Sequence, residues 1–334
     1  MNEKISIVSE SILLEKEFDQ IMKSIADRRH EAAHPIQVSG LADGARTVFY
    51  AAVIRRIREK YGMPAIMVTA DEKDGLKLFN ALSELGLKPL VYPLRDFVFH
   101  NITASREYEH ERLRALSALT AFCDTKTCAF DAIIATPDAL MQYTMPMETL
   151  RNATLKITTD TRIDIDNLTA RLEASGFVRS DLVDGVGQYA VRGGIVDIFP
   201  PYSEYPVRIE LFDDEIDQMG LFDIMTQRRI ENISGITITP AREIIVDAEK
   251  REAIRKCANQ QLKKAPEERV RAELSGEIEA IDGGTELAFI DKYISLVYER
   301  KTTLSDYAYE AAAACELRWP LVFVQEDNAC LDRM

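Results

Sequence analysis

Four short apolar runs, each followed by a helical pattern or a turn, occupy the first part of the chain, and a fifth run returns only near its far end. That arrangement constrains the fold more than any other feature. The runs are residues 35–39, 64–69, 88–94 and 130–135, with helical patterns over 45–61, 72–85 and 106–122. An earlier pattern, 11–28, places Ile12, Leu13, Phe18, Ile21, Met22 and Ile25 at helical spacing. Strands that read as continuous apolar runs are buried on both faces, and crossover helices are what bury them, so the pattern predicts a parallel sheet. The fifth run, 320–324, is followed by acidic residues and would complete that sheet. The expectation is one discontinuous α/β domain, of the kind that holds a nucleotide, with a second domain inserted into it.

The inserted part differs in kind. Over 146–240 strand patterns dominate, at 155–159, 187–199, 207–212 and 233–239, with turn residues between them, including Gly193-Gly194, Pro200-Pro201 and Asp213-Asp214. One helix is predicted at 165–174, with Asp164 or Asp166 as its N-cap. This reads as a small α+β domain. Residues 241–334 are mostly helical (248–263, 266–281, 286–299) before the closing strand. The predicted organisation is therefore 1–145, 146–240 and 241–334.

Composition excludes several function classes. No apolar stretch approaches the length of a membrane span, and residues 1–10 mix charged with apolar types, unlike a secretory signal. Five cysteines, Cys123, Cys128, Cys257, Cys315 and Cys330, are sparse and odd in number, which suits reduced thiols and a cytoplasmic location better than a disulfide framework. No second Cys or His pair joins Cys123 and Cys128 to make a zinc site. The formal net charge is −14, and each of the three segments carries more acidic than basic residues. A free-standing duplex binder needs a positive footprint to displace counterions, so DNA is disfavoured as a direct partner of these residues.

One stretch sits where a phosphate-binding loop belongs. Gly40-Leu41-Ala42-Asp43-Gly44-Ala45-Arg46-Thr47 follows the first predicted strand and opens a helix, with the length of a Gly-x4-Gly-Lys-Ser/Thr motif. Phosphate binding needs a glycine before the lysine, an ammonium on the β and γ phosphates, and a hydroxyl on magnesium. Here Ala45 replaces the glycine and Arg46 the lysine, so only Gly40 and Thr47 remain of the core pattern, with Gly44 at a variable position of the loop. A planar guanidinium does not substitute for a compact ammonium. The acidic pair expected at the end of another strand is also altered: Gln325 takes the metal-binding position and Glu326 the water-activating one. Two distant motifs depart in the same direction, which predicts a degenerate site and no catalysis.

The stretch Gln188-Tyr189-Ala190-Val191-Arg192-Gly193-Gly194-Ile195-Val196-Asp197-Ile198-Phe199-Pro200 resembles the signature of the UvrB-homology domain. So do 207–217 and Leu221-Phe222-Asp223. That domain is shared by the excision-repair helicase UvrB and by transcription-repair coupling factors, and the resemblance covers nearly the whole chain. Residues 302–307 also resemble the run before the last strand in coupling factors. The resemblance implies a degenerate P-loop/RecA-like parallel-sheet domain, split into parts called 1a and 1b, around an α+β domain 2. UvrB has an intact loop and acidic pair, and a long aromatic hairpin after its third strand. Here residues 92–100 run directly toward a helix near Ser105, with Phe97 and Phe99 as the few aromatics. These departures favour the coupling-factor side.

What the resemblance implies is a module that recruits UvrA through domain 2, with no cofactor of its own. ATP and magnesium would belong to a translocase part of a longer parent, as would the contacts with RNA polymerase and DNA. Arg179 and Arg192 match arginines of UvrB that meet UvrA, and Ala190 stands where a further contact would be. Arg208 and Phe199 are candidates by proximity in the same strands. The alternative is a divergent UvrB-type ATPase or damage-binding module. For that reading the basic helix end Arg55, Arg56, Arg58 and Lys60 would touch DNA; otherwise it complements the helix dipole. Asp213, Asp214, Glu215 and Asp217 lack the glycine and distal glutamate of a calcium loop and read as a hairpin turn. His30, His34, His100 and His110 form no triad or metal spacing, and Trp319 is expected in the core.

Overall fold

In the computed structural model, the described residues are 16–27, 36–95, 107–283, 287, 290–326 and 329–330. The first half runs α1 (Lys16–Asp27), α2 (Asp43–Tyr61), β1 (Ala65–Val68), α3 (Glu72–Glu84), β2 (Pro89–Tyr92), α4 (Glu107–Thr125), β3 (Ala132–Ala135), α5 (Pro137–Met141) and α6 (Met147–Ala153). Then come β4 (Leu155–Thr158), α7 (Ile165–Ala174), β5 (Val178–Arg179), β6 (Gln188–Arg192), β7 (Ile195–Ile198) and β8 (Val207–Phe212). The chain continues with β9 (Glu215–Phe222), β10 (Arg229–Asn232), β11 (Gly235–Ile238), α8 (Ala248–Lys264) and α9 (Glu268–Asp282). A 3-10 turn (Ile290–Tyr293), α10 (Ile294–Val297), α11 (Leu304–Ala314) and β12 (Val322–Val324) close it. The molecule divides into two compact units. Unit 1 comprises 1–95, 114–142 and 302–334, and unit 2 comprises 96–113 and 143–301.

Unit 1 holds a four-stranded sheet in the order β12-β1-β3-β2, and every pairing in it is parallel. β1 and β3 are buried at all four positions, as expected of strands covered on both faces. One face packs Ala65, Met67, Ala132 and Ile134 against Ala51 and Ile54 of α2 and Leu78 and Leu82 of α3. The closing strand pairs as the pattern predicts, with Ile66 opposite Val322 and Val68 opposite Val324. The run at 35–39 does not form a strand: residues 36–42 carry no regular secondary structure, and Ile36 and Val38 stay exposed. Two isolated apolar residues give an alternating pattern but too little area to hold a further strand against the sheet.

Helix ends in unit 1 follow local chemistry. The Asp71 side chain accepts from the Asp74 amide at 2.8 Å and starts α3. α2 stops at Gly62, whose left-handed backbone (φ 70) lets its N–H reach the Arg58 carbonyl. Thr303 and Asp306 form a reciprocal capping box that opens α11, which explains structurally the run 302–307. Trp319 is half-buried rather than in the core, edge-to-face with Tyr309 at 6.0 Å and beneath the Arg318 guanidinium.

Unit 2 is built on a six-stranded sheet in the order β10-β9-β8-β7-β6-β5 beside a β11-β4 pair. Its core gathers Tyr189, Val196, Ile198, Val207, Ile209 and Met219 against Leu168 and Leu172 of α7. Asp164, not Asp166, caps α7 by accepting from the Asn167 amide. The sequence pattern missed β9, whose Glu215, Asp217 and Gln218 hide its pairing with β8. The helix expected at 286–299 is, where described, a 3-10 turn followed by α10.

The β6–β7 hairpin turns on Gly193-Gly194, and the two glycines serve different needs. Gly193 is left-handed (φ 59) with open space around it. At Gly194 an added Cβ would lie 2.8 Å from the Leu211 carbonyl oxygen, while the Leu211 N–H donates to the Gly194 carbonyl at 2.7 Å and fixes the approach. Gly193→Ala should cost about 1 kcal/mol for its backbone conformation. Gly194→Ala should cost more, about 2–3 kcal/mol, because backbone must move. Chemical denaturation of the two variants checks this order; equal midpoints would contradict it.

Candidate functional site

Within unit 1 the loop at residues 40–47 leads directly into α2. The Ala45 and Arg46 amides both donate to the Ala42 carbonyl, at 2.9 and 3.0 Å. Ala42 offers no side-chain cap, Gly40 keeps a left-handed backbone (φ 82), and neither Gly40 nor Gly44 is crowded. The Arg46 guanidinium bonds the Glu326 carboxylate at 3.1 Å, across 280 positions of sequence. The structure thus joins the two altered motifs. β12 delivers Glu326 through its parallel pairing with β1, and the Gln325 amide completes that ladder by donating to the Val68 carbonyl at 2.8 Å. The Gln325 side-chain oxygen is buried and accepts no hydrogen bond from a described residue. Nearby, burial pushes the Tyr50 phenol up, with Arg46 lowering it and Glu326 raising it.

In unit 2 strand alternation decides where the docking candidates go. Tyr189, Val191, Val196 and Ile198 face the core, so Ala190, Arg192 and Asp197 face the other way, with Arg208 in register with Asp197. On that outer face Asp197 is fully buried by its neighbours. Arg208 grips it at 2.7 Å through Nε and 2.9 Å through Nη2. Arg192 reaches the same carboxylate at 2.5 Å and the Asp181 carbonyl at 3.3 Å. Arg208 also bonds Gln227 and lies over the Phe222 ring at 4.4 Å. Phe199 is 9% exposed and packs with Val183, Ala190 and Phe222. Its side chain supports the face from beneath.

Arg179 is placed differently. It pairs with Tyr189 across β5 and β6 and therefore shares the Tyr189 side of the sheet, opposite to Arg192. It is exposed and makes no hydrogen bond or ion pair with a described residue. Its charge lowers the Tyr189 phenol, which burial and the hydrogen bond to Glu173 together push up to about 12. Arg179 and Arg192 thus flank the β5–β6 edge from opposite sides. The exposed apolar side chains Val178, Leu182 and Val186 lie on the same short segment. Sequence reasoning missed Asp197. Its signal was an acid inside an apolar strand, which must be paired if buried.

The other candidates are accounted for by contacts. Arg58 forms an ion pair with Asp131 and donates to the Cys128 carbonyl at 2.6 Å. Arg55 bonds the Leu85 carbonyl, and Lys60 lies over the Tyr61 ring at 5.2 Å. The basic helix end is therefore largely committed within its own unit. Asp214 and Glu215 sit at the β8–β9 turn and bind Arg162 at 2.9 and 2.6 Å. Among the described residues no group of three or more His, Cys, Asp or Glu is placed to hold a metal. Nor is any described helix long and apolar enough to cross a membrane. Phe97, Phe99, His100, Ser105, His30 and His34 lie outside the described residues.

Known proteins match this arrangement. The family described as the UvrB interaction domain matches residues 155–244, which include the six-stranded sheet and both arginines. A transcription-repair-coupling factor of Bacillus subtilis is 32% identical over 303 residues, covering 87% of this chain and 25% of that protein. One from Haemophilus influenzae is 32% identical over 262 residues, 78% of this chain and 22% of the relative. One from Escherichia coli K12 is 29% identical over 200 residues, 59% and 17% respectively. The chain spans about a quarter or less of the length of these relatives. Over the residues it spans, the chain belongs to the transcription-repair-coupling factor family and carries a UvrB interaction domain at residues 155–244.

Proposed function

We propose that this chain is a docking module that binds UvrA through the β5–β6 edge of its six-stranded sheet and hydrolyses no nucleotide itself. In its parent it would bring UvrA to stalled transcription complexes. RNA polymerase, DNA and ATP with magnesium would be handled by other parts of that parent. The observation that carries the docking reading is the match of residues 155–244 to the UvrB interaction domain, on the sheet that bears Arg179 and Arg192. Arginine suits such a site because its fork pairs with carboxylates in defined geometry.

The non-catalytic reading is supported by the donor set. Magnesium prefers oxygen ligands that include a carboxylate, and here Gln325 supplies one neutral amide oxygen. The cation that would have met phosphate is instead held by Glu326. A single titration tests this part: the chain should show no saturable thermal stabilisation by millimolar ATP with magnesium, and no turnover. Ligand bound to the native state must raise stability by mass action, so a saturable rise would establish the divergent-ATPase reading in its place. For docking, the chain should retain UvrA in a pull-down at low salt and release it progressively as salt rises, because charge pairing is screened. A folded chain that retains no UvrA at low salt would overturn the proposal.

A further inference from the structure

Asp197 is an unusual residue to bury, and the face it occupies shows what it does. Its carboxylate has no solvent contact and serves two guanidinium groups. The two arginines are not equivalent. Arg208 spends Nε, Nη1 and Nη2 on Asp197 and Gln227 and lies over the Phe222 ring, with 19% of its side chain exposed. Arg192 is 39% exposed and spends Nη2 on Asp197 and Nη1 on the Asp181 carbonyl. A guanidinium has five donors, so Arg192 keeps Nε–H and further Nη–H groups that no described residue accepts. Arg208 therefore pins the carboxylate and the carboxylate aims Arg192. Two guanidinium groups thus share one buried carboxylate on a chain whose net charge is −14, and Glu210 and its partner Arg229 lie close by.

We propose that Asp197 is a positioning residue for docking: locked by Arg208, it orients Arg192 so that its remaining donors receive a carboxylate of the partner. The inference rests on the docking function proposed above and adds the chemistry of recognition, an acidic side chain on the partner meeting a preorganised guanidinium. Preorganisation matters because an unrestrained arginine would lose rotamer freedom on binding. The assignment also gives Arg208 an indirect role, since it acts through Asp197 and not through the partner.

The full chain provides two readouts. In the free protein, the Arg192 Nη–H resonances should be resolved by slow rotation, and in Asp197→Asn they should collapse to an averaged signal. In UvrA titrations, Asp197→Asn should weaken binding by about tenfold alone and by less than about twofold when Arg192→Ala is already present. A purely structural effect would give the same loss in both backgrounds. If Asp197→Asn fails to fold, Arg208→Gln releases the carboxylate from the other side and should show the same non-additivity with Arg192→Ala. An Arg192 guanidinium as mobile in the wild type as in the variant, or equal losses in both backgrounds, would overturn the role. Binding that Arg192→Ala leaves unchanged removes this role alone, whereas a wild-type chain that binds no UvrA removes the docking function with it.

Discussion

Glu243→Ala should destabilise unit 2 by about 3–5 kcal/mol. Glu243 is 1% exposed and accepts from Arg112, itself fully buried, at 2.8 and 3.0 Å. Thr144 donates to the same carboxylate. The adjoining pair, Arg242 and Glu109, meets at 2.9 Å, and Glu109 also accepts from the Glu243 amide at 2.7 Å. Tyr298 closes the network by donating to the Glu243 carbonyl and accepting from the Ile245 amide. Removing this carboxylate takes two hydrogen bonds and a close opposite charge from a fully buried guanidinium, so the cost of burying it is offset less well. Replacing both partners with leucine should cost less than the sum of the single changes, because the two side chains interact directly. Urea denaturation followed by circular dichroism, with hydrogen exchange at the 243–245 amides, checks both statements. A loss below about 1 kcal/mol for Glu243→Ala would mean that this network does not hold the segment.

Arg179→Ala combined with Arg192→Ala should weaken UvrA binding by at least about 2 kcal/mol while leaving the fold intact. Arg179 makes no bond to a described residue, so its truncation should be nearly neutral for stability. Arg192→Ala removes one of two partners of Asp197 but leaves the two-point grip of Arg208 in place. Arg208→Ala is the contrasting case. It removes the two-point grip on a buried carboxylate that Arg192 then holds by one bond, and it uncovers Phe222, so it should lower stability more than Arg192→Ala does. Circular dichroism separates loss of fold from loss of docking. Since the two exposed arginines flank one edge from opposite faces, a partner that engages that edge meets both.

Much of this architecture was legible because it is written in local periodicity. β1, β2, β3 and β12 are short apolar runs, and α2, α3 and α7 show helical spacing with readable ends. The closing strand could be expected because a sheet that lacks a strand needs one from elsewhere. Ile36 and Val38 misled, since alternation over two residues does not guarantee burial. β9 was hidden because Glu215, Asp217 and Gln218, three of its eight residues, are exposed and polar. The buried Arg112–Glu243 pair had no local signal at all: its members are 131 positions apart, and each looks like an ordinary surface charge. At the degenerate loop the two substitutions were visible separately, but the ion pair that joins Arg46 to Glu326 follows from the parallel pairing of β12 with β1. On the outer face of β6, β7 and β8 the arginines were visible as candidates, whereas their sharing of one buried carboxylate depends on Asp197.

The most direct test of the docking account is isothermal calorimetry of UvrA into the full chain at two salt concentrations. One saturable site is expected, weakened at the higher salt and weakened at least about 30-fold by the Arg179→Ala, Arg192→Ala pair. Absence of binding by the folded wild-type chain at low salt, or unchanged affinity in the folded double variant, would contradict it.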